Sequence, residues 1–135
     1  RQNGQRLICG RRIMNSAKHI LLDLYDCDIE LIDSSEFVLS TLVKSAEISG
    51  CKILNKYFHK FSPQGVTGLI CVCESHFSVH TWPEHGYCAI DIFCCKDETE
   101  ESIEFLKKSF KCKKSKIRII NREFKNEISP VNTRT

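Results

Sequence analysis

The feature that most restricts how this chain can fold lies between residues 76 and 95. Two segments of strict alternation, HFSVHTW (76–82) and YCAIDIFCC (87–95), flank the tetrapeptide Pro83-Glu84-His85-Gly86. Alternation at period two marks half-buried strands, and a short loop with Pro and Gly between them makes a hairpin. If Trp82 pairs with Tyr87 across the loop, Thr81 faces Cys88, Val79 faces Ile90 and Phe77 faces Ile92. That face is apolar and belongs against a core. The other face carries His76, Ser78, His80 and Trp82 opposite Phe93, Asp91, Ala89 and Tyr87. It is polar and aromatic, a surface suited to chemistry or to a partner subunit.

Continuing the same register sets Cys95 opposite Glu74 on the face of His80, and Cys94 opposite Ser75 on the core face. Opposed residues sit about 4.5–5.5 Å apart, so both thiols are expected near the Glu74–Ser75 bond. Parity selects Cys95 over Cys94 as the functional thiol; a slip of one residue would reverse the choice. Ser75 has the wrong parity to meet His80 along a flat strand. A kink or bulge is therefore expected at residues 74–76, which suits a bond meant to react.

The remaining elements follow from pattern. His19 to Cys27 reads as a first strand, and Asp33 to Gly50 as a helix. Asp33 and Glu36 form a capping-box pattern, Val38, Leu39, Leu42, Val43 and Ala46 a stripe, and Gly50 a stop. Lys52 to Phe61 and Val66 to Cys73 read as strands around the Ser62-Pro63-Gln64-Gly65 turn. Asp97 to Lys111 reads as a second helix, with Asp97 and Glu100 as its capping box, and Lys116 to Ile120 as a last strand. The order lacks regular βαβ alternation. It predicts an α+β two-layer sandwich, a mostly antiparallel sheet with two helices on one face. Residues 1–17 form an N-terminal arm without periodicity, residues 18–124 the domain, and residues 125–135 a C-terminal tail.

Composition narrows the function. The 135 residues fit one domain, and a net charge of +3 is too small to argue for nucleic acid or membrane binding. No apolar run approaches the roughly 20 residues of a membrane span. Leu7-Ile8-Cys9 is too short for a secretory core, so the expectation is a cytoplasmic protein. Nine cysteines in a reducing compartment, an odd number with no CxxC pair, are mostly core residues rather than a disulfide framework. A metal site is disfavoured: His76 and His80 lie about 13 Å apart along a strand. A Cys–His hydrolase built from Cys95 and His80 remains open on geometry, as does a polar sheet face that serves only as an interface.

The segment ESHFSVHTWPEHGYCAIDIFCC (74–95) resembles the processing site of the prokaryotic S-adenosylmethionine decarboxylase proenzymes, with ESH, HTWPE, GY, D-x-F and Cys elements in order. The resemblance extends to FHKFSPQGVTG (58–68) and, more weakly, to KHILLDLYDCD (18–28), covering roughly residues 18–120. It implies self-cleavage between Glu74 and Ser75, with Ser75 as nucleophile and precursor of a pyruvoyl group that holds the substrate amine as a Schiff base. It implies His80 as the processing base, a role suited to an imidazole, Thr67 as an assisting hydroxyl where the family usually has serine, and Cys95 as the proton donor. Phe61, Phe77 and Trp82 become aromatic contacts for adenine, and Glu84 the acceptor for the ribose hydroxyls; core packing is the competing reading for both phenylalanines. A homodimer of processed protomers is implied, with its site near the interface and its product the aminopropyl donor for spermidine. The sequence departs from the pattern at His85, Cys88 and Cys94, and opens with Ala17-Lys18-His19. The alternatives are a paralogue acting on arginine or ornithine and a non-catalytic binding subunit; intact Ser75, His80 and Cys95 argue against the latter.

Overall fold

The computed structural model describes residues 16–95 and 99–123. It contains strands β1 (Ser16–Tyr25), β2 (Ile53–Lys60), β3 (Val66–Val72), β4 (Ser75–Trp82), β5 (Tyr87–Cys94) and β6 (Lys114–Glu123). Its helices are α1 (Ile29–Ile32), α2 (Ser35–Ile48) and α3 (Thr99–Ser109), with a 3₁₀ turn at Pro83–His85. All six strands form one sheet in the order β2-β3-β4-β5-β1-β6, every neighbouring pair antiparallel. This is the expected α+β sandwich, with one short helix more than the pattern indicated. The first strand begins at Ser16, so Ser16 and Ala17 belong to the sheet rather than to the arm. The rest of the arm, the tail and Asp97 lie outside the described residues, and the second capping box with them.

The core follows from alternation. Ile20, Leu22 and Leu24 of β1, Val66, Ile70 and Val72 of β3, Phe77 and Val79 of β4, and Cys88, Ile90 and Ile92 of β5 are all buried on one face. Val38, Leu42 and Ala46 of α2 and Ile103 and Leu106 of α3 cover them. Burying one such side chain contributes about 1.5–3 kcal/mol. The two helices are joined by a buried hydrogen bond from Ser102 Oγ to the Ser45 carbonyl, 2.8 Å.

One capping expectation is corrected. Ser34 caps α2, its Oγ accepting from the Phe37 N–H at 3.2 Å. Asp33 is the C-cap of α1 and turns its carboxylate toward the β2–β3 turn instead. Two adjacent cap-competent residues left this boundary ambiguous in sequence, and the extra one-turn helix moved it by a residue. The C-terminal stop holds. Gly50 adopts φ 77°, its N–H reaches the Glu47 carbonyl at 2.9 Å and the Cys51 N–H reaches Ala46 at 3.0 Å, the two bonds of a Schellman motif.

The hairpin register is the one that alternation requires: Trp82 pairs with Tyr87, Thr81 with Cys88, Val79 with Ile90 and Phe77 with Ile92. The helix-free face of the sheet therefore displays His76, His80, Trp82, Tyr87, Asp91 and Phe93. Tyr57 and Leu69, also on this face, are 65% and 48% exposed.

Candidate active site

Two groups of candidate side chains occupy opposite ends of β4. The first surrounds the β3–β4 turn. Glu74 holds φ 72°, a left-handed conformation that is strained for a residue with a side chain. This is the expected kink, but it does not bring Ser75 to His80. Ser75 pairs regularly with Val72 and starts an uninterrupted strand. Its Oγ is buried and has no hydrogen-bond partner among the described residues. Cys95 lies beyond the end of β5, buried with Ala17 and packed by Cys73 and Phe93. The β4–β5 ladder ends at His76–Phe93, short of a Cys95–Glu74 pair, and Cys73 of the turn packs against the Cys95 cluster.

The two adjacent cysteines separate as parity requires. Cys94 is 1% exposed within the main core, its Sγ 3.2 Å from Cys51 Sγ. Cys95 belongs to the small cluster off that core. Cys27 and Cys88 are likewise core residues. A hydrogen bond from Cys88 lowers the Cys27 thiol below its usual range, while that bond and burial raise Cys88. Cys88 and Cys94, although they depart from the family pattern, face away from the surface that carries His80.

The second group is a cavity of about 340 Å³ lined by Phe61, Gln64, Gly65, Thr67, His80, Thr81, Trp82 and Glu84. Thr67 and His80 pair across β3 and β4, with Thr67 Oγ1 3.0 Å from His80 Nδ1. The hydroxyl thereby holds one of the two ring nitrogens. Trp82 stands beside His80 at 6.2 Å between ring centres and stacks on Tyr87 at 5.4 Å. The Tyr87 hydroxyl donates to Asp23 at 2.6 Å, and burial together with that carboxylate raises the phenol above its usual range. Glu84 sits on the 3₁₀ turn, exposed, and Gly86 closes that turn at φ 59°. Threonine at 67 keeps a hydroxyl against His80.

The cavity thus unites Phe61, Thr67, His80, Trp82 and Glu84. It does not include Ser75, Cys95 or Phe77. Phe77 is fully buried in the core on the opposite face, so the packing reading replaces the aromatic-contact reading for this residue. Ser75 and His80 are five residues apart along β4, about 16 Å at 3.3 Å per residue.

Two participants were not singled out in the sequence. Gln64 Nε2 donates to Glu84 Oε2 at 2.6 Å. Asp33 Oδ1 accepts from the Gly65 N–H and from Lys60 Nζ, both at 2.8 Å; Lys60 and that N–H hold the Asp33 carboxyl below its usual range. Gln64 lay inside the family segment but carries no reactive group, and Asp33 read as a helix cap. Among the described residues no group of His, Cys, Asp and Glu could hold a metal ion. No helix among them is long and apolar enough to cross a membrane.

Comparison with known proteins agrees with this geometry. The family model described as S-adenosylmethionine decarboxylase matches residues 18–123. The chain is 43% identical over 108 residues to the S-adenosylmethionine decarboxylase proenzyme of Prochlorococcus marinus strain MIT 9313, covering 78% of this chain and 86% of that one. It is 44% identical over 108 residues to the proenzyme of Synechococcus sp. strain WH7803, covering 78% and 84%. The crystal structure of the adenosylmethionine decarboxylase from Aquifex aeolicus VF5 superposes with a TM-score of 0.77 at 28% identity, covering 87% of this chain and 99% of that one. A match across nearly the whole domain, joined to the hairpin and its side chains, shows that this chain belongs to the S-adenosylmethionine decarboxylase family.

Proposed function

We propose that the chain cuts itself between Glu74 and Ser75, converts Ser75 into a pyruvoyl group, and decarboxylates S-adenosylmethionine to supply the aminopropyl donor for spermidine. The observation that carries the reading is the Ser75 hydroxyl, buried with no hydrogen-bond partner among the described residues, directly after a residue in the left-handed region. Such an oxygen has no competing interaction to break before it attacks the adjacent Glu74 carbonyl. Attack moves the acyl group from nitrogen to oxygen. Removal of the Ser75 α-proton by an imidazole then expels the Glu74 carboxylate and leaves dehydroalanine. Water converts that end to pyruvoyl and releases ammonia.

The imidazole is His80, oriented by Thr67, and it comes from a second copy. Ser75 and His80 of one chain are separated by about 16 Å of regular strand, so neither end of β4 is complete alone. A two-fold dimer that stacks the exposed sheet faces brings the Thr67–His80 end of one protomer to the Ser75–Cys95 end of the other. The exposed Tyr57, Leu69 and Trp82 of that face supply the apolar contact such a dimer needs. Once formed, the pyruvoyl carbonyl supplies an electron sink for the carbon–carboxylate bond that breaks. Cys95 returns a proton to the carbon that has lost carbon dioxide. Phe61 and Trp82 offer flat surface for adenine, and Glu84 accepts from the ribose hydroxyls.

Denaturing mass spectrometry tests the processing step. Wild type should give residues 1–74 and a second chain with pyruvoyl in place of Ser75, and Ser75→Ala a single inactive chain. An uncut wild-type chain with full activity would refute it. Carbon dioxide release measured on a panel should favour S-adenosylmethionine. Turnover of arginine or ornithine alone would move the protein to the paralogue class and leave the processing argument intact.

A further inference from the structure

The β2–β3 turn is tied at both its base and its tip. At the base, Asp33 Oδ1 accepts from the Gly65 N–H and from Lys60 Nζ, each at 2.8 Å. The Phe61 N–H closes the turn onto the Gly65 carbonyl at 2.8 Å. Gly65 holds φ 105°, and a side chain there would press on the Thr81 carbonyl at 3.2 Å, so the turn lies hard against β4. At the tip, Gln64 Nε2 donates to Glu84 Oε2 at 2.6 Å. A carboxylate can only accept, so the amide must present its nitrogen.

Glu84 projects from a single 3₁₀ turn into solvent. An exposed glutamate has three free torsions, and the cost of ordering them would otherwise fall on ligand binding. The Gln64 amide removes that freedom and leaves Oε1 open as an acceptor. It does so without charge: a lysine or arginine here would pair with the carboxylate and compete with a hydroxyl ligand. The same turn carries Phe61, so one anchor sets both the aromatic wall and the acceptor of the cavity.

We infer that Gln64 is a positioning residue for nucleoside binding, acting through Glu84, and that Asp33 anchors the turn from which both Gln64 and Phe61 reach the cavity. The inference rests on the reading of Glu84 as the ribose acceptor. Steady-state kinetics with S-adenosylmethionine on processed protein test both parts. Gln64→Ala should cleave completely and raise KM by roughly tenfold, the low end for a hydrogen bond to a charged group, with kcat within about twofold. Glu84→Gln alone should raise KM, and adding Gln64→Ala to it should change little more, because the residue through which Gln64 acts is already altered. Asp33→Ala should raise KM similarly, while Asp33→Asn, which keeps an acceptor for the Gly65 N–H, should restore most of the loss. An unchanged KM in Gln64→Ala, or full additivity in the double variant, overturns the inference and leaves the nucleoside reading standing. An unchanged KM in Glu84→Gln overturns that reading and the inference together. Should Asp33→Ala fail to fold, the half-exposed Gln64 variants still decide the matter.

Discussion

If each site draws Ser75 from one chain and His80 from its partner, two inactive variants should rescue each other. Consider co-expression of Ser75→Ala and His80→Ala at equal levels under separable tags. Each homodimer is dead, since one lacks the nucleophile and the other the base. A mixed dimer holds one site with both lesions and one with neither. Random pairing makes about half of all dimers mixed, so about a quarter of all sites are intact for a two-fold assembly. The chain cleaved in an intact site is the one that keeps Ser75. About half of the His80→Ala chains should therefore appear cut by intact mass, and activity should return to about a quarter of wild type. Within a single chain the two residues stand about 16 Å apart on one rigid strand, too far for proton transfer, which requires contact or one intervening water. Mixed dimers purified on both tags that show no cleavage and no turnover would refute the split-site reasoning. Mixing the purified homodimers is the useful control, because rescue then waits on subunit exchange.

The other tests concern single side chains. Cys95→Ala should cleave normally and lose most turnover, whereas Cys94→Ala, buried within the core, should keep turnover and lose about 1–3 kcal/mol of stability in urea denaturation. An essential Cys94 beside a dispensable Cys95 would invert the assignment. Phe77→Ala should cost about 3–5 kcal/mol as a core cavity; a raised KM with stability unchanged would return this residue to the substrate pocket. His80→Ala alone should stall after the acyl shift, and hydroxylamine should split the trapped ester at residue 75; spontaneous pyruvoyl formation in that variant would remove His80 from the mechanism.

The hairpin shows what local pattern can determine. Alternation over residues 76–95 and a four-residue loop leave one register that buries Phe77, Val79, Ile90 and Ile92 together, because a slip of one residue would turn them all to solvent. The same parity separates Cys94 from Cys95, sets His80 on the open face, and decides that Phe77 cannot share that face with Trp82. The boundary of α2 was less legible, since Asp33 and Ser34 are both competent caps and only the preceding turn of helix chooses between them.

Tertiary structure alone decided the relations between distant residues. The sequence by itself determined residue types, strand parity and the family to which the segment around Ser75 is similar. Parity and spacing act over a few residues, and the physics behind them is local. That Asp33 closes a turn 32 residues away, that Gln64 meets Glu84 across 20 residues, and that Thr67 pairs with His80 depend on which strands become neighbours. That choice is made by burial of the whole core rather than by any one segment. The separation of Ser75 from His80 has the same origin: a strand that buries Phe77 and Val79 must stay regular between them, and a regular strand holds its two ends apart.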